Sequence, residues 1–379
     1  MTTVTVVSAM VAVACGLLFL YPYVIYPLTL RLLPKKPLSL GEAGTDGAGF
    51  ALFFCAYNEA RVMPDKLANI RDLKERYPNL QVFAYDDASS DGTLQLLQAE
   101  PDLVTVVRGS GRTGKAHGMK QMVAQCRADY LVFTDANVIL DVDCVAELGR
   151  YYADERVGGV GGSLHYISSA EGTATEAAGG LYWRLEEWSK ALESATGNVM
   201  GADGSIFSVR RELYPDFPDT VQDDFTVSMA VVFAGKRLVK APSVVAYERL
   251  VSDRADEARR KVRIAARAFH THTVMKSGRE AMSPVDKYKY AAHKMLRWWG
   301  AVPVSVGLLA ALVFLASVGV PGLIALAAAT VLTVAARVVV PKSSSFVWDL
   351  LVAVMSTLLG VLRARRGETF AVWTPPATR

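Results

Sequence analysis

Carboxylates and amides that could do chemistry are concentrated in three short clusters of this 379-residue sequence. In the densest cluster, Asp86, Asp87 and Asp91 lie within six residues. Acids this close repel one another unless a cation or hydrogen-bond donors neutralise them. A second cluster, Asp135 and Asn137, offers hard oxygen donors of the kind that Mg²⁺ or Mn²⁺ uses when it bridges a protein to substrate phosphates. The sequence therefore predicts a metal, or a ligand with polar donors, near these clusters.

The residues around the clusters predict alternating strands and helices. Short apolar runs and helical patterns alternate at 50–55, 64–76, 81–85, 94–98, 103–107, 115–127 and 130–134. Such alternation is typical of an α/β domain built on a mostly parallel, doubly wound sheet. The third cluster, with Tyr57 and Glu59, follows the first predicted strand, as Asp86 follows the second and Asp135 the fourth. Because ligands bind beyond the carboxyl ends of strands in such sheets, the clusters predict one shared site.

A glycine-rich segment before the helix at 115–127, Gly109-x4-Gly114-Lys115, resembles a P-loop. The next residue is Ala116, where a P-loop needs a hydroxyl for magnesium, so a P-loop-type nucleotide hydrolase is the less favoured alternative. A basic, glycine-rich turn still suits a phosphate ligand. The acidic stretch also imitates a calcium loop, but Gln98 replaces the glutamate of its twelfth position.

Two further features lie beyond residue 200. The pair Asp223-Asp224 precedes an apolar helical run at 227–233, and helix capping is the simplest account of these acids. Arg260, Arg263 and Arg267 fall at i, i+3 and i+7, on one face of a predicted helix. That face suits contact with anionic lipid, a clamp on a phosphate group, or both.

Composition favours a membrane setting and argues against nucleic acid as a partner. Hydrophobic residues make up 51% of the sequence, and the mean hydropathy is +0.23. The 41 basic and 37 acidic residues nearly balance, whereas nucleic-acid binding favours a basic excess. The four cysteines are scattered, which predicts reduced thiols in a protein that faces the cytosol.

Apolar segments at both ends of the chain predict membrane helices. The run 4–30 is long enough to cross about 30 Å of hydrocarbon. Basic residues at 31–36 follow it, which predicts that this end faces the cytoplasm. Three more apolar runs lie later in the chain, at 301–317, 318–340 and 346–362. Crossing by all three would put the basic residues that follow outside, so we expect a cytoplasmic tail and one run that is re-entrant or interfacial.

The sequence thus divides into six segments. We expect an N-terminal transmembrane helix at 1–33, a linker at 34–49 and the α/β domain at 50–255. Amphipathic interfacial helices at 256–297, transmembrane or re-entrant helices at 298–365 and a cytosolic tail at 366–379 would follow.

Together, these motifs resemble the membrane-bound family 2 glycosyltransferases, the group that includes cellulose, chitin, hyaluronan and poly-N-acetylglucosamine synthases. The resemblance covers residues 50–275 and implies a GT-A fold, a Rossmann-like domain that faces the cytoplasm beside the inner membrane. It implies inverting transfer of a sugar from a UDP-linked nucleotide sugar, with Mg²⁺ or Mn²⁺, to a glycan or lipid-linked acceptor. Such a reaction would serve exopolysaccharide or cell-envelope synthesis. The resemblance also implies contact with membrane lipids, and it allows for an oligomeric or secretion partner.

The resemblance also assigns donor-binding roles to single residues. Tyr57 and Glu59 match the family's first nucleotide-binding segment. Asp86 and Asp87 open a stretch similar to its DDxSxDGT loop, in which one of the paired acids meets the base or ribose. Lys115 lies in a Gly-Lys-Ala segment like the one that the family places near the sugar nucleotide.

The remaining implied roles concern the metal, the base and the diphosphate. Asp135 and Asn137 stand at the metal-binding D-x-D position, with Asp135 as the principal ligand. Asp224 stands at the last acid of the T-E-D motif, which implies the general base. Arg263 and Arg267 lie where the Q-x-x-R-W motif would fall, which implies that they hold the pyrophosphate. The stretch 201–204 resembles the segment that leads into the acceptor site.

Three positions depart from the family pattern. Asn137 replaces the second metal carboxylate, and Ile264 and Ala268 replace the Gln and Trp of Q-x-x-R-W. In the polymerising synthases that Trp helps to form the acceptor platform, so its loss argues against a long processive polymer. These departures keep open the alternative of a non-catalytic membrane scaffold with a degenerate transferase domain.

Overall fold

Eight strands form one sheet in the order β3-β2-β1-β4-β7-β6-β8-β5. The computed structural model describes residues 2–42, 49–167, 174–249, 254–322, 324 and 341–372. The strands are β1 Phe50–Ala56, β2 Gln81–Asp86, β3 Thr105–Arg108, β4 Tyr130–Thr134, β5 Val138–Leu140, β6 Val157–Ile167, β7 Ile206–Arg210 and β8 Arg237–Arg249. Among these described strands, only β5 and β7 run against the common direction. The predicted mostly parallel sheet is confirmed.

Helices connect these strands and flank the sheet. They are α1 Thr3–Leu20, α2 Tyr26–Leu30, α3 Met63–Arg76, α4 Thr93–Gln98, α5 Lys115–Gln125, α6 Cys144–Tyr152, α7 Ala174–Ala195, α8 Asp223–Phe233, α9 Arg254–Val274, α10 Lys276–Ala281, α11 Pro284–Tyr290, α12 Leu296–Trp298, α13 Ala301–Ser317 and α14 Pro341–Arg365. The predicted strands and helices up to residue 134 are present, each within two residues of its predicted bounds. The third strand starts at Thr105 rather than 103, because the N–H groups of Leu103 and Val104 both bond to the Glu100 carbonyl in a turn.

The central strand β1 separates two buried apolar layers. Leu52 and Phe54 belong to the layer that contains α3 and α6, whereas Phe53 and Cys55 belong to the layer with α5 and α8. Successive side chains of a strand point to opposite faces, so a strand that is covered on both faces must be apolar throughout. Burying one such phenylalanine contributes about 1.5–3 kcal/mol. These layers hold the strand ends in fixed positions.

The N-terminal apolar run forms one continuous helix, Thr3–Leu30, in which a π turn joins α1 to α2. It is long and apolar enough to cross a membrane. Within the described ranges it is the one unbroken helix that meets this condition, although Pro284–Trp298 and Ala301–Ser317 meet it jointly with a 61° bend between them. The helix packs on α13, where a Cβ added to Gly307 would lie 2.9 Å from the Cβ of Cys15.

The other C-terminal runs have different surroundings. Most of the run 318–340 lies outside the described residues. The run 346–362 belongs to α14, which lies so close to α9 that a Cβ on Gly360 would be 2.5 Å from the carbonyl oxygen of Val262. Ala265 and Ala266, on the same side of α9, are buried. The basic helix α9 therefore packs on α14 with its apolar face. The bounds of the membrane segments expected from the sequence stay predictions.

Candidate functional site

The carboxyl ends of β2, β1 and β4 lie side by side, because these strands are adjacent and parallel. Ala56, at the end of β1, is paired with Asp86 of β2, and β4 ends at Thr134. The loops that follow are joined: Glu59 is buried, and its N–H donates to Thr93 Oγ1 at 2.9 Å. The structure therefore brings the three polar clusters of the sequence to one edge of the sheet.

Asp87 holds the glycine-rich loop that leads into α5. Its buried carboxylate accepts hydrogen bonds from Thr113 N at 2.7 Å and from Gly114 N at 3.1 Å. Arg112 Nε lies 3.2 Å from Asp87 Oδ2, and the same guanidinium stacks 3.1 Å from the ring centroid of Tyr57. Asp87 thus positions the loop and the Arg112–Tyr57 pair. It also occupies N–H groups that a P-loop would offer to phosphate, which argues against the P-loop alternative.

The other two acids of this stretch have unlike environments. Asp91 accepts hydrogen bonds from Thr93 N, Thr93 Oγ1 and Ala60 N, so it ties the loop after β2 to the loop after β1. Asp86 is buried, with Oδ2 bonded to Ser89 N at 3.3 Å and Oδ1 without a hydrogen-bond partner in the described part of the chain. A buried acceptor left without a donor is costly. Asp86 is therefore the acid best placed to accept a hydrogen bond from a ligand.

Lys115, the first residue of α5, lies at the centre of a second group of charges. Its Nζ is 2.7 Å from Asp135 Oδ1 and 3.6 Å from Asp223 Oδ2. Burial by itself would lower the pKa of this ammonium group, but the carboxylates of Asp135, Asp223 and Asp224 raise its pKa above the ordinary value. Lys115 therefore stays charged at neutral pH and offsets the repulsion among three acids.

Asp223 and Asp224 begin α8, four residues before the apolar run from which a helix was predicted. Asp223 is 5% exposed and lies between Lys115 and Arg267, whose Nη2 is 3.6 Å from Asp223 Oδ1. Asp224 lies beside Gly204, where an added Cβ would be 3.0 Å from Asp224 Oδ2. Burial, together with the adjacent charge of Asp223, raises the pKa of Asp224 to about 6. A carboxylate with this pKa can accept a proton near neutral pH.

The arginines of α9 lie on the other side of the acid pair. Arg267 Nη2 donates to the Val221 carbonyl at 2.8 Å, and His270 Nε2 lies 2.9 Å from Thr220 Oγ1. Both contacts fasten the loop that leads into α8. Arg263, one turn earlier on the same helix, is partly exposed. The structure thus brings Arg267 to the acids and places Arg263 beside that site along the helix.

The oxygen donors at the end of β4 are of the kind that binds a divalent cation. The side chain of Asp135 is 43% exposed. Asn137 Nδ2 lies 2.8 Å from Glu248 Oε1, so the Asn137 amide and the Glu248 carboxylate face each other. No group of three or more His, Cys, Asp or Glu side chains that could hold a metal occurs in the described ranges. The donors fit Mg²⁺ or Mn²⁺, which commonly binds one or two protein carboxylates and completes its shell with water and substrate phosphate.

One contact at the site was not expected from the sequence. A Cβ added to Gly114 would lie 2.2 Å from the carbonyl oxygen of Ala371, so the segment after α14 crosses the glycine-rich loop. Residues 366–372 have no periodicity or charge pattern that signals this contact, and the sequence indicates only a tail. The resemblance places Gly204 in a stretch that leads into the acceptor site, but its closeness to Asp224 and Lys115 has no signal in the sequence, because those residues lie elsewhere in the chain.

Comparison with known proteins identifies the domain that carries these residues. Residues 52–217 match the family described as Glycosyl transferase family 2. That span carries the loops after β1, β2 and β4, together with Lys115 and Gly204. The chain contains a glycosyl transferase family 2 domain. The resemblance inferred from the sequence motifs is thereby confirmed.

Relatives of this glycosyltransferase domain include two bacterial synthases. The poly-beta-1,6-N-acetyl-D-glucosamine synthase of Staphylococcus aureus is 29% identical over 204 residues, which are 51% of this chain and 48% of that protein. The hyaluronan synthase of Streptococcus pyogenes is 26% identical over 167 residues, 42% of this chain and 39% of that protein. The chain matches about half the length of the first relative.

A solved structure extends the likeness of the fold beyond the matched domain. Mannosyltransferase PcManGT from Pyrobaculum calidifontis, solved in complex with GDP-Man and Mn²⁺, superposes with a TM-score of 0.74 at 20% sequence identity. The match covers 95% of this chain and 99% of that one. It confirms the predicted GT-A fold.

Proposed function

We propose that this chain transfers a sugar from a nucleotide sugar to a glycan or lipid-linked acceptor at a membrane surface, with inversion at the transferred carbon. The observation that carries the proposal is the group formed by Lys115, Asp135, Asp223 and Asp224 at the edge of a family 2 glycosyltransferase sheet. It combines an ionised lysine with a carboxylate whose pKa suits proton transfer. The named relatives and PcManGT all join sugars, which supports the reaction class.

Asp224 acts as the general base. It takes the proton from the acceptor hydroxyl while that oxygen forms a bond to the anomeric carbon of the donor. The bond from the same carbon to the diphosphate oxygen breaks on the opposite side, so the product has the inverted configuration. A pKa of about 6 leaves Asp224 ionised at pH 7 yet basic enough to assist the attack.

The donor would lie over the ends of β1, β2 and β4. Asp86 Oδ1 would accept a hydrogen bond from the base or ribose, beside the stacked Tyr57 and Arg112. Lys115 and Arg267, with Arg263 nearby, would hold the negative charge of the diphosphate. Mg²⁺ or Mn²⁺ bound by Asp135 and Asn137 would neutralise charge on the leaving diphosphate. We expect a UDP-sugar, with GDP-mannose as the comparison because PcManGT was solved with GDP-Man.

The acceptor would arrive from the membrane side. The helix Thr3–Leu30 would anchor the chain in the cytoplasmic membrane, with the basic residues 31–36 and the transferase domain on the cytoplasmic side. The helices α9 to α12 connect that domain to the apolar helix α13. A growing glycan or a lipid-linked sugar would therefore meet Asp224 close to the bilayer surface.

The test uses the full chain in membranes with labelled UDP-sugars and GDP-mannose, plus Mg²⁺ or Mn²⁺. We expect transfer from at least one donor, loss of about 10³-fold in rate for Asp224→Asn, and unchanged donor binding. Asp219→Asn is the matched control, because Asp219 lies in the same loop and pairs with His117 and Lys120 outside the acid group. Full transfer by Asp224→Asn would refute the base. A chain that binds no nucleotide sugar would instead be the non-catalytic scaffold.

A further inference from the structure

The turn that carries the proposed metal ligands is held from both sides of the chain. β4 ends at Thr134, and the turn closes with a hydrogen bond from Val138 N to the Asp135 carbonyl at 3.3 Å. β5, the last strand in the order of the sheet, begins at Val138. From α3, Lys66 Nζ donates to the Val138 carbonyl at 2.6 Å. The main chain of the turn is therefore fixed, and its side chains are oriented by their neighbours.

Glu248, near the end of β8, lies opposite this turn. β5 pairs antiparallel with β8, and the register places Glu248 beside Val138. Glu248 Oε1 lies 2.8 Å from Asn137 Nδ2. The reverse orientation of the amide would bring two acceptor oxygens together, so this contact keeps Nδ2 toward the carboxylate. The carbonyl oxygen of Asn137 is then the end of the amide that is turned away from Glu248, and oxygen is the atom that a hard divalent cation binds.

The charge at this turn is lower than a divalent cation favours. Asp135 supplies one negative charge, but Lys115 Nζ lies 2.7 Å from Asp135 Oδ1 and offsets part of it. Asn137, at the position of the second metal carboxylate, is uncharged. Because the number of charged ligands sets the affinity for a hard cation, this pair alone would hold the metal weakly. Glu248 carries the negative charge that Asn137 lacks, and it contacts Asn137 directly.

We propose that Glu248 is a positioning residue of the metal site, which orients the Asn137 amide so that Oδ1 binds the cation and which supplies the missing negative charge from behind that amide. This inference rests on the proposed metal-assisted glycosyl transfer. A hydrogen bond from the amide N–H to a carboxylate polarises the amide and increases the negative charge on its oxygen. Partners of this kind orient the ligands of a metal, and their loss typically lowers metal affinity by about 10–100-fold.

The contact gives a different meaning to the departure from the family pattern at Asn137. Glu248 lies 111 residues later in the chain, outside the metal motif. Asp135 and Glu248 together carry the same charge as the two acids of D-x-D, with the second acid moved from the turn to the neighbouring strand. An amide without a charged partner would favour the non-catalytic scaffold. An amide supported by a carboxylate instead favours a site that still binds a metal.

The experiment titrates the full chain in detergent with Mn²⁺ alone and follows the electron paramagnetic resonance signal of free Mn²⁺. We expect the wild type to bind Mn²⁺, and Glu248→Ala to weaken this binding about tenfold. Glu248→Gln keeps an acceptor oxygen for Asn137 Nδ2 but removes the charge, so it should weaken binding less than Glu248→Ala does. The difference between the two variants separates the orientation of the amide from the charge behind it.

An exchange of the two side chains gives a sharper result. Asn137→Asp combined with Glu248→Gln returns the carboxylate to position 137 and keeps an acid–amide pair with its ends exchanged. We expect this double variant to bind Mn²⁺ within about threefold of the wild type, although Glu248→Gln alone binds it more weakly. A residue that only supports the fold would not be rescued by a change in its partner.

Tyr247→Phe is the matched control, because Tyr247 precedes Glu248 on β8 and its hydroxyl donates to Asp141 Oδ2 at 3.4 Å, beyond the other end of β5. It should leave Mn²⁺ affinity unchanged. Unchanged affinity in Glu248→Ala, an equal loss in Tyr247→Phe, or no recovery in the double variant would overturn the inference. A wild type that transfers sugar but binds no Mn²⁺ would also overturn it and leave glycosyl transfer standing. A wild type that binds Mn²⁺ but turns over no donor would reject the proposed function itself.

Discussion

Two parts of the site handle negative charge in opposite ways. In the loops after β1 and β2, the acids are stabilised mainly by main-chain hydrogen bonds: Thr113 N and Gly114 N donate to Asp87, which also pairs with Arg112, and Ala60 N donates to Asp91. At the start of α5 and α8, three acids share the ammonium group of Lys115. The first arrangement fixes the shape of the loops. The second leaves one carboxylate, Asp224, with a raised pKa.

This difference separates recognition from bond-making. Hydrogen bonds from a fixed backbone hold a carboxylate in its charged form and make it a poor base. A carboxylate crowded by another acid is a better base, and its charge costs folding free energy. We therefore expect substitutions in the loops to change stability and donor affinity without changing the chemical step, whereas substitutions in the Lys115 group change the rate of transfer as well as stability.

The largest expected effect follows removal of Lys115. Lys115→Ala leaves Asp135, Asp223 and Asp224 without their shared cation, and losing one partner of a buried ion pair costs about 3–5 kcal/mol. We expect the rate of transfer to fall by about 10³-fold, because the ammonium group no longer stabilises the negative charge on the leaving diphosphate. Steady-state kinetics and denaturant unfolding would measure both effects.

A matched control lies on the same helix. Lys120 pairs with Asp219 at 2.6 Å, with 27% of the lysine side chain and 40% of the aspartate exposed, so Lys120→Ala should change stability little. Transfer by Lys115→Ala within about tenfold of the wild-type rate would show that this ammonium group is not part of the reaction.

The neighbouring acids Asp86 and Asp87 offer a sharper test within the loops. Asp87→Ala removes the acceptor of Arg112, Thr113 and Gly114, and we expect the free energy of unfolding to fall by about 2–4 kcal/mol. Asp86→Ala should lower it by less than about 1 kcal/mol, because the described residues give the Asp86 carboxylate one hydrogen bond to lose, the 3.3 Å bond from Ser89 N to Oδ2. Asp86→Ala should nevertheless weaken donor binding about tenfold, measured by titration with the nucleotide sugar. Equal destabilisation by the two substitutions would contradict the contrast.

The pH dependence of Asp224 links activity to stability. Because its pKa in the folded chain is about 6, transfer should fall about tenfold per unit as the pH drops below 6. The ordinary pKa is 3.8, so the folded state binds this proton more tightly than the unfolded state does. The free energy of unfolding should therefore decrease as the pH rises from 3.8 to about 6 and stay lower above that range.

Asp224→Asn removes that titration. At pH 7 this variant should be more stable than the wild type while it is inactive, and near pH 4 the stability difference should shrink. Thermal or denaturant unfolding at the two pH values provides the measurement. An Asp224→Asn variant that is less stable than the wild type at pH 7 would mean that the ionised Asp224 carboxylate does not lower the free energy of unfolding.

The sequence predicts the first half of the sheet better than the second. β1 to β4 are short apolar runs that end at polar clusters, so their positions and their shared edge follow from the pattern alone. β6 reads VGGVGGSLHYI, and its glycines weaken any strand signal. They are explained by packing, since a Cβ on Gly159 would lie 2.9 Å from Leu238 Cδ1 of β8.

The roles of individual acids depend on residues that are distant in the sequence. Asp86 and Asp87 are adjacent and chemically identical, yet only Asp87 meets the loop at 112–114. The contact of Lys190, on α7, with Asp203 likewise requires α7 to lie against the segment before β7. No local pattern encodes such pairings, because they are set by how the layers of the fold pack.

The smallest expected effect concerns the segment that crosses the glycine-rich loop. Ending the chain after Arg366 removes Ala371 from its place on Gly114, and we expect donor KM to rise about threefold, the scale of a surface contact. Ending it after Val372 keeps that contact and should leave donor KM unchanged, so the pair of truncations isolates residues 367–372. Unfolding curves should coincide, because neither truncation touches the two apolar layers. An equal rise of donor KM in both truncations would mean that Ala371 does not support the glycine-rich loop, and that Asp87 alone holds this loop in place.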